Sequence, residues 1–134
     1  MVHDIVSDMM TRIRNAIQVK HHLVKVPFTK MTESIANVLK EESLIEDFRT
    51  FYKKRTKFLL LLLKYKGKGR QQQPIITTLK RVSSPGLRVY ANVSELHLVL
   101  DYFGIAIVST SKGVITNKKA KELGIGGEIL CLIW

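Results

Sequence analysis

Acidic side chains are missing from the middle of this chain. From Phe48 to Ser94 there is no aspartate or glutamate, while Arg49, Lys53, Lys54, Arg55, Lys57, Lys64, Lys66, Lys68, Arg70, Lys80, Arg81 and Arg88 all fall in that stretch. In a chain of formal net charge +11, this imbalance points to a polyanion, because each cation set on a phosphate releases a condensed counterion and makes binding salt-dependent. Nucleic acid is the first partner to consider; a merely solvated basic face is the plain alternative.

Other absences exclude chemistry. The single cysteine, Cys131, rules out an intramolecular disulfide and a thiolate cluster and fits a reducing compartment. Flanked by aliphatic residues with no histidine close in sequence, it reads as a small buried hydrophobe rather than a catalytic thiol. The histidines His3, His21, His22 and His97 lack ligand spacing, so no metal site is expected. No nucleophile elbow accompanies the serines, and Lys66 to Arg70, KGKGR, lacks the spacing to a Gly-Lys-Ser/Thr that a phosphate-cradling loop requires. No catalytic residue and no cofactor are expected. The longest apolar run, Phe58 to Leu63, is far short of the ~20 residues that span a bilayer, so no membrane partner is expected. The opening MVHDIVSDMM has early acids and neither a basic n-region nor an Arg/Ser-rich pattern, so no targeting segment is expected.

What remains is a folding sequence: 134 residues, 46% hydrophobic and 25% charged, enough for one domain or two small packed halves. Asp4 can cap a first helix with Ile5, Met9, Ile13, Ala16 and Ile17 on one face and Arg12 and Arg14 projecting to other sides. Leu23, Val24 and Val26 form a short strand that Pro27 confines to an edge or an end. Thr32 offers an N-cap for a second helix with Ile35, Val38, Leu39, Leu44 and Ile45 on its core side. Phe48, Thr50 and Tyr52 alternate with polar residues, and the run Lys57 to Tyr65 follows a cationic turn at Lys53, Lys54, Arg55 and Thr56, which predicts a hairpin; leucine propensity alone would also allow a helix. Lys66 to Pro74, KGKGRQQQP, has nothing to pack and reads as a linker or loop. Beyond it, Ile75 to Val82 reads as a strand, Ser84 to Gly86 as a turn, and Leu87, Val89 and Ala91 as the inward side of another strand. Val93 to Leu100 reads as a short helix and Gly104 to Val108 as a strand. After a return strand, Thr116 or Asn117 caps a helix ending at Gly124, and Glu128 to Trp134 is the final strand.

The fold class is α+β. It has two small α/β subdomains: a helix-strand-helix-hairpin unit over 1–65 and a strand-rich unit with short helices over 75–134, joined by the basic Gly/Gln segment 66–74.

Three clusters bear on binding. Ser109, Thr110, Ser111, Lys112 and Gly113 put three hydroxyls beside a lysine, able to bond base edges, riboses or phosphates, while Gly113 permits close approach or a positive φ; an ordinary hairpin turn is the other reading. Gly126 and Gly127 precede Glu128, which either braces the serine loop through backbone N–H groups or accepts a base amino proton. Ser84, Arg88 and Tyr90 follow a rigid turn, with Arg88 and Tyr90 on one side of a strand, for phosphate pairing and stacking; a core tyrosine beside a surface arginine is the alternative.

Four blocks in order, DIVSDMMTRIRNA from Asp4, IANVLKEESLIEDF from Ile35, KRVSSPGLRVY from Lys80 and IAIVSTSKGVITNKKAKELGIGGEILCLIW from Ile105, resemble the bacterial-type small-subunit ribosomal protein S-eight family over nearly the whole chain. The terminal GGEILC and tryptophan look like plastid and cyanobacterial members. The resemblance implies a two-domain α/β protein without catalytic activity that binds small-subunit ribosomal RNA at an irregular helix and helps fold its central domain. It sits among neighbouring small-subunit ribosomal proteins, with no homo-oligomer expected, in a plastid stroma or bacterial cytoplasm. It carries RNA contact to Ser109, Thr110, Ser111, Gly113, Gly126, Gly127 and Glu128, and makes base-edge and ribose recognition the favoured reading of the serine loop. Lys112, Ser84, Arg88, Tyr90, Lys53, Lys54, Arg55, Arg12 and Arg14 complete the RNA-binding candidates. The chain departs from the family pattern at Asp101, Tyr102 and Phe103, where glycines are common. It departs again at Asn117, where an acidic cap is usual, and at Leu132, where an aromatic is usual. A non-ribosomal adaptor binding acidic protein or anionic lipid is the alternative function.

Overall fold

The computed structural model describes residues 4–100 and 104–134, with backbone alone over 97–100. Helix α1, Ile5–Gln18, starts at Asp4, whose carboxylate accepts from the Ser7 backbone N–H at 3.1 Å. Its buried face is Val6, Met9, Met10, Ile13 and Ala16. Ile5, expected in the core, is exposed, because the stripe centred on Met9 and Ile13 takes Val6 as its first-turn member. Strand β1, Leu23–Pro27, buries only Val24 and Val26 and lies at a sheet edge, where Pro27 costs no ladder bond.

Helix α2, Lys30–Glu41, begins earlier than the sequence predicts. Thr29 is the N-cap, and Thr32 is its partner in a reciprocal capping box, two bonds that together contribute about 1 kcal/mol. The Thr32 hydroxyl also donates to the Pro27 carbonyl at 3.0 Å, which is why this polar residue is fully buried. Leu44 and Ile45 lie beyond the helix, and Ile45 opens strand β2, Ile45–Lys53. Strand β3, Thr56–Leu63, settles the ambiguity of the leucine run in favour of a strand. Leu59, Leu61 and Leu63 are buried with α1 and α2, each contributing roughly 1.5–3 kcal/mol. Phe58, Leu60 and Leu62 stand on the other face, open to solvent to differing degrees. The sheet order is β1-β3-β2, all antiparallel. The register shifts once, between Ile45 and Asp47, and then runs unbroken to Lys53, so Phe48, Thr50 and Tyr52 keep one face: Phe48 packs on the core, and Tyr52, opposite Lys57 beside the hairpin turn, is exposed.

The segment expected as a linker or loop folds back on itself as a short hairpin. Strand β4, Tyr65–Lys66, pairs with β5, Gln73–Pro74, around a 3₁₀ turn at Gly69–Gln71. The Tyr65 hydroxyl donates to the His21 carbonyl at 2.6 Å, and Lys20 Nζ to the Arg70 carbonyl at 3.2 Å, so the hairpin is tied to the end of α1.

The next strand is shorter than expected. Strand β6 is only Leu79–Arg81, since the N–H groups of Thr77 and Thr78 both donate to the Trp134 carbonyl at 2.7 Å instead of continuing a ladder. Strand β7, Tyr90–Ala91, is followed by α3, Val93–Leu100, capped by Asn92. Strand β8, Ile105–Thr110, and β9, Gly113–Thr116, form a tight hairpin. Helix α4, Asn117–Leu123, has Thr116 as N-cap and Gly124 in the left-handed C-cap conformation. Asn117 is therefore not the cap; its side-chain oxygen accepts from the Ala106 N–H at 3.1 Å and ties α4 to β8. Strand β10, Gly127–Ile133, pairs antiparallel with β6, β7 and β8.

The larger apolar core joins α1, α2 and β1 to β3 with Ile76, Leu79, Ile107, Leu130, Cys131 and Ile133. A smaller one gathers Leu96, Ala106, Val108, Ile115, Ala120, Ile129 and Leu132. β10 is thus buried on both faces, and Leu132 is core, not a stacking platform. Cys131 is buried, and that burial pushes its thiol up to about 12, away from any nucleophilic role. A clasp ties the start of α1 to β6 and β10: Arg81 donates from Nε and Nη2 to the Asp4 carboxylate at 3.1 and 3.2 Å, and from Nη1 to the Leu130 carbonyl at 2.6 Å.

Candidate nucleic-acid interface

Strand pairing brings three separated sequence blocks together. In the β7–β10 register Glu128 faces Tyr90, and in the β10–β8 register it faces Ser109. Residues directly opposite in antiparallel strands share a sheet face, so Tyr90, Glu128 and Ser109 form one row across three strands. Tyr90 is 67% exposed, which excludes the core-tyrosine alternative. Arg88 joins the row through Nη1, which donates to Glu128 Oε2 at 3.0 Å. This charged hydrogen bond raises the Arg88 pKa above its ordinary value. Glu128 accordingly makes no brace to the serine loop. The loop is held by Thr110, whose hydroxyl donates to the Gly113 carbonyl at 2.8 Å and accepts from the Lys112 N–H at 3.1 Å.

The serine loop is tighter than its sequence suggests. Ser109 and Thr110 are still in β8, and only Ser111 and Lys112 form the turn, both exposed. Gly113 has φ +104° with open space where a side chain would stand, so backbone geometry selects glycine there. Gly126 and Gly127 are selected by crowding instead. A Cβ on Gly126 would fall on the Ala91 carbonyl oxygen, and one on Gly127 on the Ser109 carbonyl oxygen. These glycines let β10 slide between β7 and β8 and so set the row. Ser84 pairs with Leu87 through two backbone hydrogen bonds that close the turn before Arg88. Leu87, expected inward, is 66% exposed at that turn. The buried Ser83 hydroxyl, bonded to both the N–H and carbonyl of Val89, fixes the following strand.

Lys53, Lys54 and Arg55 lie in the other sheet. Lys54 and Arg55, with φ of 50° and 68°, make the two-residue β2–β3 turn, and all three are exposed. Arg12 and Arg14 are occupied within the protein. Arg12 pairs with Asp8 at 3.0 Å and donates to the Lys25 carbonyl at 3.0 Å, while Arg14 donates to the Leu79 carbonyl. Three cations outside the sequence-predicted set, Lys118, Lys119 and Lys121, are exposed on α4, which packs against β8 and β9. Their signal in the sequence is the run NKKAKEL. Asp101, Tyr102 and Phe103 lie outside the described residues. Among the described residues no cluster of metal-ligating side chains occurs, and no helix is long and apolar enough to cross a membrane.

A small basic α+β fold that sets short hydroxyls, a paired carboxylate and an open tyrosine across adjacent strands has the groups an RNA-binding protein uses. Comparison with known proteins agrees. A family model described as Ribosomal protein S8 matches residues 4–134. Small ribosomal subunit protein uS8c of Trieres chinensis is 59% identical over 134 residues, the whole of both chains, and that of Thalassiosira pseudonana is 59% identical over the same span. Small ribosomal subunit protein uS8 of Gloeothece citriformis is 58% identical over 132 residues, 98% of each chain. The chain belongs to the ribosomal protein S8 family, whose members are structural constituents of the small ribosomal subunit and bind its RNA.

Proposed function

We propose that this chain binds small-subunit ribosomal RNA directly at an irregular helix, as a non-catalytic assembly component that helps fold the RNA's central domain. The row Tyr90, Glu128 and Ser109, extended by Thr110, Ser111, Lys112 and Gly113, reads the site, and Lys53, Lys54 and Arg55 position the RNA by its phosphates. The row carries this reading, because short polar groups fixed on paired strands suit 2′-hydroxyls and splayed base edges, while the A-form major groove is too deep and narrow to enter. Neighbouring ribosomal proteins complete its surroundings. Relatives named uS8c and uS8 support a plastid or bacterial-type ribosome as its place of work.

The test is affinity for a short internal-loop helix of small-subunit ribosomal RNA against a fully paired control at two salt concentrations. Preference for the internal loop that persists at the higher salt is expected, reduced by Ser109→Ala, Ser111→Ala and Glu128→Gln. Equal affinities that collapse together with salt would leave only a basic surface.

A further inference from the structure

Glu128 is an awkward residue for an RNA-reading face. A carboxylate at a phosphate-rich interface repels its ligand, and the rest of the row, Ser109 and Tyr90, supplies no countercharge. The Glu128 side chain is only 14% exposed, so water screens it poorly, while Arg88, at 50%, reaches in from the turn to bond one of its two oxygens. Among the described residues Oε1 accepts no hydrogen bond.

From this geometry, and resting on the proposed RNA-binding role of the row, we infer that Arg88 is a positioning residue: it cancels the charge of Glu128, fixes the carboxylate through Oε2, and leaves Oε1 aimed to accept from the exocyclic amino group of an unpaired base. The ligand chemistry is that of a donor: an amino-bearing base edge offers a hydrogen bond that a carboxylate can take and a phosphate cannot supply. Arginine suits the task because its guanidinium stays charged at every relevant pH, and here one N–H, at Nη1, takes Oε2 and leaves Oε1 open. The elements that make the pair rigid are local. Ser84 and Leu87 close the turn before Arg88, the Ser83 hydroxyl fixes Val89, and Gly127 lets the backbone of β10 approach β8 beside Glu128. A lysine in the same place would keep the charge but replace the planar guanidinium with a freely rotating ammonium.

The competing role for Arg88 is an ordinary phosphate contact, and the two roles separate cleanly. A phosphate contact adds about 0.7–0.9 to the salt slope on any RNA. A positioning role changes which RNA is preferred and leaves the slope alone. The experiment measures binding of the full chain and of Arg88→Met, Arg88→Lys, Glu128→Gln and the Arg88→Met/Glu128→Gln double variant. The two probes are an internal-loop helix with an unpaired adenine and the same helix fully paired, each across a salt series, with thermal melts to establish that every variant is folded.

The expected result is that Arg88→Met loses preference for the internal loop by about tenfold with an unchanged slope. Arg88→Lys recovers part of it, and the double variant is no worse than the worse single one. A uniform loss on both RNAs with a slope lower by about one ion assigns Arg88 to a phosphate and overturns the inference. Full preference retained in a folded Arg88→Met also overturns it. Absence of preference in the unmodified chain instead overturns the reading face itself, and the inference with it. Should Arg88→Met fail to melt cooperatively, the Arg88→Lys and Glu128→Gln pair decides alone, since preference intact in both removes the role.

Discussion

The β2–β3 turn and the β7–β10–β8 face carry charge in opposite ways. At the turn, Lys53, Lys54 and Arg55 are exposed and take no part in any ion pair among the described residues. Their long side chains are free to follow a phosphate wherever it falls. At the face, the acid is bonded to Arg88 and its neighbours are a serine and a tyrosine on strands locked in register. Groups held that firmly accept only a ligand whose shape already fits. The proposed function therefore assigns affinity and selectivity to different sheets, as expected when phosphate contacts position and base contacts specify.

The largest effect is expected from Gly127→Ala. Its Cβ meets the Ser109 carbonyl, which cannot yield without parting β10 from β8, so a loss of about 2–3 kcal/mol in a denaturant melt should accompany loss of internal-loop preference. An unchanged melt would mean the strands are not held so close. Next comes the triple replacement of Lys53, Lys54 and Arg55 by glutamine. It should lower the salt slope by about two to three and weaken both RNAs alike. A changed preference between them would break the division of labour between the sheets.

Asp4→Asn tests the clasp between the start of α1 and β6 while keeping a competent helix cap. Burial pushes the Asp4 carboxyl up, but the hydrogen bonds from Arg81 and Ser7 outweigh it and hold the carboxyl below its ordinary range. Its contribution is therefore full above the unfolded value, ~3.9, and fades as pH falls through the lower folded value. Urea melts should show the variant less stable by roughly 1 kcal/mol near neutrality, with the two curves converging as pH falls below that lower folded value. A constant gap down to strong acid would mean that the ion pair does not stabilise the fold. The smallest effect belongs to Arg12→Gln: its pair with Asp8 is exposed, worth about 0.5 kcal/mol or less, and the salt slope should not move. A slope lower by one ion would return Arg12 to the RNA-binding set.

Much of the fold was legible because its signals are local. The 3.6-residue spacing marked α1, Pro27 marked the edge strand, and the positive charges between Tyr52 and Lys57 marked the β2–β3 turn. The misses have two causes, a local signal of an unusual type and partners distant in sequence. Thr29 gave no clear cap signal because its reciprocal partner is another threonine, not the usual acid or amide. Residues 66–74 showed no packing pattern, yet Tyr65 and Lys20 anchor them to the end of α1. The candidate residues of the reading face were visible as three motifs, but their alignment in one row was not. Nor was the pairing of Arg88 with Glu128, which spans 40 positions.

By itself the sequence determined the chemistry on offer: an acid-free basic middle section, hydroxyls beside a lysine, glycines ahead of one glutamate, and a single cysteine, which allows no intramolecular disulfide. These depend on composition and short-range spacing, which need no fold to act. The tertiary structure alone decided which charges remain free. Among the described residues Arg12, Arg14 and Arg81 are bonded to neighbours, Lys53, Lys54 and Arg55 are not, and Glu128 is paired with Arg88. That choice depends on strand register and close backbone approach, and both arise only when segments far apart in the chain share a sheet.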